Sequence, residues 1–192
     1  NAVDASVAIG FALAVTLPRA GNIGGDGFML VHDAKSGEQV FFDFRSVAPK
    51  AATLAMFLDN QGQESEIAGR GYLAPSVPGT VAGLYMAHKK FGKLRWADVV
   101  APAIALARHG VALTPDEAFV FGWGKERLST SKAAKAAYYK PDGTLYRAGE
   151  RLKQPDLAWT LTQIAKRGAD GFYKGPVAAR FVADMKANGG LI

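Results

Sequence analysis

The 192-residue sequence contains no cysteine. Within this chain that excludes disulfides, thiolate catalysis and thiolate metal sites. Histidine is scarce too: His32, His88 and His109 stand alone. None has an H-E-x-x-H neighbour or metal-ligand spacing, so no metal and no cofactor are expected. His109 reads as a helix-terminal residue. Long apolar runs are missing. The richest stretch, residues 2–17, is broken by Asp4, Ser6 and Gly10, so no membrane span is expected. It also lacks a basic leading segment and does not read as a signal peptide.

Recognisable nucleophile motifs are absent as well. Ser76, Thr80 and Thr114 lie in no G-x-S-x-G pattern, and a capping or turn role explains each. Asp98, Asp116 and Glu117 read as helix-terminal charges and lack the pairing expected of carboxylate catalysis. The chain is basic, with 23 Lys and Arg against 17 Asp and Glu. The cations are scattered rather than arranged in a stripe, and no nucleic-acid-binding motif accompanies them. A solvated basic surface is the reading, not a nucleic-acid partner.

What is present is an ordinary globular composition, 49% apolar and 21% charged, sufficient for one domain with a sizeable core. Val3, Val7, Phe11 and Val15 recur at helical spacing, predicting a buried helix over 2–17. Asn1 and Asp4 have capping-box spacing, and Pro18 ends the helix. A glycine turn over 21–27 leads to a strand at 28–32. A turn at 33–38 and a returning strand at 39–44 complete a hairpin. The near-continuous apolarity of both strands predicts burial on both faces, against the first helix, in a layered α/β protein. A long polar connection covers 58–72. Helices are then expected at 79–88, 96–108, from Thr114-Pro115 onward, at 157–167 and at 176–188. Both ends read as cut, the first inside a helical pattern and the last just after Gly189-Gly190.

Two segments stand out, Gly21-Asn22-Ile23-Gly24-Gly25-Asp26-Gly27-Phe28 and Phe42-Asp43-Phe44-Arg45. Arg45 closes an apolar run. Its guanidinium suits a bidentate grip on a small carboxylate; the alternative is a salt bridge to Asp43 or another structural acid. Asn22 and the glycines at 21, 24, 25 and 27 either present N–H groups to an anion or form a tight turn before a core strand. Asp26 is expected to hold that turn through its side chain. The pattern is neither G-x-G-x-x-G nor a P-loop.

These segments, with Asn1-Ala2-Val3-Asp4-Ala5, Ala48-Pro49, Met56-Phe57-Leu58-Asp59, Pro78-Gly79-Thr80-Val81-Ala82-Gly83, Leu106-Ala107-Arg108-His109-Gly110, Phe172-Tyr173-Lys174-Gly175 and Asn188-Gly189-Gly190-Leu191-Ile192, resemble the large subunit of gamma-glutamyltranspeptidases. The ordered series spans essentially the whole chain. At Asp26 it departs from the family, where many relatives continue the glycine run. The resemblance implies an α+β N-terminal-nucleophile hydrolase with a four-layer αββα core, of which residues 1–192 are a partial, helix-rich large-subunit portion. It implies a precursor that cleaves itself, and a small subunit whose N-terminal threonine is nucleophile and base. The substrates implied are glutathione and related γ-glutamyl amides, with water, an amino acid or a peptide as acceptor. No catalytic residue is then expected in this chain. Arg45 would bind the substrate α-carboxylate, with Asn22, Gly24, Gly25 and Asp43 structural nearby. Bacterial relatives imply a periplasmic or secreted location. Alternatives are a cephalosporin-type acylase, a poly-γ-glutamate-acting relative, or a degenerate binding protein.

Overall fold

A computed structural model describes residues 1–20 and 22–192. Gly21, named above with the glycine turn, lies outside the described residues. In chain order the elements are α1 (Ala2–Thr16), β1 (Phe28–His32), β2 (Gln39–Asp43), α2 (Thr80–Phe91), α3 (Trp96–His109), β3 (Val111–Ala112), α4 (Pro115–Trp123), α5 (Lys125–Ser129), α6 (Lys132–Tyr138), β4 (Arg151–Leu152), α7 (Pro155–Arg167), α8 (Asp170–Tyr173) and α9 (Gly175–Ala187). The described chain is helix-rich α+β, with two small antiparallel sheets, β1-β2 and β3-β4.

The start of α1 follows from its sequence. Asn1 is the N-cap, and its side chain accepts the Asp4 N–H at 2.9 Å. Val3, Val7, Phe11 and Val15 are buried on α1. They join Val81 and Leu84 of α2, Val99, Val100 and Ala103 of α3, and Leu161 and Ile164 of α7 in one core. Alanines between the larger side chains let these helices approach closely, with α3 packed on both α1 and α7. Trp96 plugs the junction. It meets Phe11 and Tyr85 edge-on, at centroid distances of 5.5 and 4.9 Å, and its indole N–H donates to the Ile164 carbonyl near the end of α7. A second, smaller cluster joins Leu113, Phe121 and Leu152. The two-residue strands β3 and β4 that run through it are too short for any periodicity to reveal.

Two expectations are corrected. The hairpin is not buried on both faces. Its register pairs Met29 with Phe42 and Val31 with Val40 on the inward side, and Leu30 with Phe41 on the outward side. Both strands alternate exposed and half-buried positions. Phe28, Leu30 and Phe41 face outward, and the rings of Phe28 and Phe41 stack at 5.7 Å. Nor does the hairpin lie chiefly on the first helix. It packs on α2, where Phe42 meets Phe91 edge-to-face. The strands are apolar except at His32, Gln39 and Asp43, and among the described residues no element covers their outward face.

Candidate functional site

The site begins where the ladder of β1 and β2 runs out. Phe44, the residue after β2, donates its N–H to the Gly27 carbonyl at 3.1 Å, so pairing continues past both strand ends. Its ring is buried in a seat of glycines. A Cβ at Gly27 would lie 2.9 Å from the ring, and one at Gly83 would lie 2.0 Å from it. At Gly79 a Cβ would lie 2.0 Å from the Phe44 carbonyl oxygen. These glycines have ordinary φ, so it is space, not left-handed backbone, that requires them. Phe44 thus fixes the chain on which Arg45 stands.

Arg45 projects outward. Its backbone N–H donates to the Asp43 carboxylate at 2.9 Å. Its side chain remains 68% exposed, and its nearest acid is Asp26, with Nε 3.5 Å from Oδ2. Of the two readings of Arg45, a structural ion pair would have to rest on that long, exposed contact, which contributes little stability. Most of the guanidinium is open to another partner.

Among the described residues, Asp26 does not hold its own turn. Its Oδ2 reaches twenty residues along the chain, accepting the Ser46 N–H at 3.0 Å and the Ser46 hydroxyl. The Ser46 hydroxyl, the Ser46 N–H and, more weakly, the Arg45 charge hold the Asp26 carboxyl below its ordinary value. Gly25 spends its N–H on the Asn22 carbonyl at 3.3 Å. Its own carbonyl accepts the N–H groups of Gly79 and Thr80, at 2.9 and 3.1 Å. The loop therefore satisfies donors at the start of α2, and the one backbone donor of Gly25 is already spent and not left for an anion. Tyr173 secures the same point from α8. Its hydroxyl donates to the Pro78 carbonyl and accepts the Ala82 N–H, and burial raises its phenol above the ordinary value.

The residues singled out from sequence therefore divide. Asp43, Arg45 and Gly25 lie around the hairpin end and the start of α2. Asn22 and Gly24 turn the other way. They line a cleft of about 550 Å³ with Tyr138, Tyr146, Lys153, Gln154 and Asp156. Thr114 caps α4, accepting the Glu117 N–H at 3.1 Å. His88 is buried between α2 and the loop before α3, with Nε2 3.0 Å from the Leu94 carbonyl. Among the described residues no group of three or more His, Cys, Asp and Glu is placed to hold a metal ion. No helix among them is long and apolar enough to cross a membrane.

Sequence reasoning missed two acids. The Asp26–Ser46 link joins residues that no local spacing relates. Glu117 is more than a helix-terminal charge: it is buried and pairs with Arg19 at 3.0 Å, tying α4 to the turn after α1. A glutamate in the first turn of a helix is ordinary, so its sequence position carried no sign of burial.

The comparisons bear on the whole chain. Residues 1–192 match the gamma-glutamyltranspeptidase family. The chain is 46% identical over 193 residues to a glutathione hydrolase proenzyme of Pseudomonas sp. (strain A14), covering 100% of this chain and 33% of that protein. It therefore spans about a third of the length of the curated relatives it matches. Among solved structures, Helicobacter pylori gamma-glutamyltranspeptidase superposes with a TM-score of 0.97 at 47% identity, covering 100% of this chain and 55% of that one. A cephalosporin acylase from Bacillus halodurans superposes with a TM-score of 0.88 at 29% identity, covering 100% and 36%.

Proposed function

The chain belongs to the gamma-glutamyltranspeptidase family, and from that premise we propose that it is part of the large subunit of an enzyme that hydrolyses or transfers the γ-glutamyl group. The observation that carries this is the agreement of sequence and fold over all of 1–192. The exposed Arg45 guanidinium at the end of β2 adds a fitting chemical group. In this reading the chain supplies binding rather than the nucleophile. Arg45 grips the donor's α-carboxylate by charge and paired hydrogen bonds. Asp43 anchors the Arg45 main chain, while Asn22, Gly24 and Gly25 shape the adjoining loop.

The reaction itself uses an N-terminal threonine on a small subunit cut from the same precursor. Its hydroxyl oxygen attacks the γ-carbonyl, and its amine takes the hydroxyl proton and passes it to the leaving amine. The acyl-enzyme is then released by water, an amino acid or a peptide. Residues 1–192 form one portion of a four-layer αββα arrangement, in which a second sheet covers the outward face of the hairpin. Glutathione and related γ-glutamyl amides are the donors, and the location is periplasmic or secreted.

The test uses the protein from its complete gene. Intact masses should reveal two pieces, the smaller beginning with threonine, and a γ-glutamyl anilide should be turned over. Arg45→Ala should raise KM for the anilide at least tenfold while processing and melting temperature stay near wild type. A single uncleaved, inactive chain would end this reading. The acylase superposition favours one second reading, the same threonine chemistry on another acyl group. Faster turnover of a glutaryl amide, which lacks the α-amino group, than of the γ-glutamyl amide would favour it.

A further inference from the structure

We propose that Asp26 is a positioning residue for Arg45, determining which edge of the guanidinium is offered to a substrate carboxylate. The inference rests on the reading of Arg45 as the carboxylate-binding residue.

Arg45 is long and exposed, and an unrestrained guanidinium loses conformational freedom when it binds. The structure restrains its backbone from two sides. Asp43 accepts the Arg45 N–H at 2.9 Å, and Asp26 accepts the Ser46 N–H at 3.0 Å. Consecutive backbone amides are thus tied to carboxylates from the two arms of the hairpin. Upstream, Phe44 is locked in its glycine seat. Against this fixed backbone, Oδ2 of Asp26 approaches the guanidinium from its inner edge, at Nε. Nη1 and Nη2 hydrogen-bond to no side chain or carbonyl among the described residues. A guanidinium takes a carboxylate either through Nε and one Nη or through both Nη atoms. A carboxylate already standing at Nε repels a second one there and leaves the outer fork for substrate.

Asp26 supplies two parts of this arrangement, the acceptor for Ser46 and the charge at Nε. A glycine there would remove the Ser46 acceptor and the charge together, leaving Arg45 held by Asp43 alone. Its effect belongs in binding and not in the chemical step, because among the described residues its side chain acts on Arg45 and Ser46.

The experiment measures KM and kcat for a γ-glutamyl anilide with the complete processed protein, for wild type, Asp26→Asn, Asp26→Ala, Arg45→Ala and the Asp26→Asn/Arg45→Ala double variant. Asn keeps an acceptor for Ser46 and removes only the charge. Asp26→Asn is expected to raise KM about two- to fivefold, the range of a single exposed charge pair, with kcat within twofold of wild type. Asp26→Ala should raise KM further. In the Arg45→Ala background Asp26→Asn should add nothing, since a positioning residue has no role once its target is gone. An equal effect of Asp26→Asn in both backgrounds, a fall in kcat at constant KM, or a KM below wild type would each overturn the proposal. An unchanged KM in Asp26→Asn beside a large rise in Arg45→Ala would overturn the role of Asp26 alone. An unchanged KM in Arg45→Ala would remove the carboxylate-binding reading and this inference with it.

Discussion

At Gly83, a single hydrogen atom does what no side chain could. Added there, a Cβ would lie 2.0 Å from the Phe44 ring, and at Gly79 it would lie 2.0 Å from the Phe44 carbonyl oxygen. Relieving either contact means a shift of Phe44 and the start of α2 relative to each other, and Arg45 follows Phe44 along the chain. Gly83→Ala is therefore expected to cost about 1–3 kcal/mol in overpacking and to raise KM for the anilide, through the displaced arginine. Gly143→Ala serves as the comparison. Its φ of +80° makes it a strained substitution, but no atom lies within 4 Å of the added Cβ, so stability should fall and KM should not. Calorimetry with anilide kinetics separates the two. A normal KM in Gly83→Ala would show that Phe44 does not set the position of Arg45.

Among the elements, α1 is the one most firmly tied to distant chain. Asp4 is buried near its start, and the carboxylate accepts the Lys93 N–H at 3.0 Å and, at 3.4 Å, that of Leu94, in the loop between α2 and α3. Burial pushes Asp4 upward, but the Lys93 N–H, the Asn1 nitrogen and the Leu94 N–H more than offset it, and the net shift is below the ordinary 3.8. The sign follows from linkage. A carboxylate with a lowered folded-state value stabilises above its unfolded value, and that contribution is lost as pH falls through the folded one. Asp4→Ala leaves two loop N–H groups without their acceptor and should cost about 1–3 kcal/mol at neutral pH. Melting curves of both proteins should converge as the pH is taken below 3.8. A constant gap across that range would mean that the charge of Asp4 contributes nothing. At the other end of α1, Gln154 donates to the Val15 carbonyl at 2.9 Å and Glu117 pairs with Arg19, so the α4 and β4 region holds the entry to the glycine loop.

For the molecule as a whole, the outward face of the hairpin dominates. Phe28, Leu30 and Phe41 are 53%, 68% and 60% exposed on one continuous surface, a pattern that marks a contact face rather than scattered surface apolarity. The 192-residue chain expressed alone is expected to self-associate with rising concentration. Leu30→Lys combined with Phe41→Lys should suppress this. Leu54→Lys, at a position 77% exposed but off the hairpin, should not. Light scattering across a concentration series distinguishes them, and equal suppression by both would place the association elsewhere.

Local chemistry made much of this protein legible from sequence. The apolar spacing of Val3, Val7, Phe11 and Val15 specified α1, Asn1 its cap, and Thr114-Pro115 the start of α4, because helix periods and caps act over a few residues. The motif series also carried the family, since it is written residue by residue. Arg45 was visible as a charge closing an apolar strand. Contacts between distant residues were not visible in this way. Periodicity could not say that one hairpin face stays open, because continuous apolarity looks the same whether its cover belongs to this chain or to another. Nor could it show that the glycines at 27, 79 and 83 share one task, seating Phe44, or that Asp26 reaches Ser46 and Arg45 while Glu117 reaches Arg19. Those pairings exist only once the helices have packed, when the free energy of the buried core holds polar groups far apart in sequence at hydrogen-bond distance.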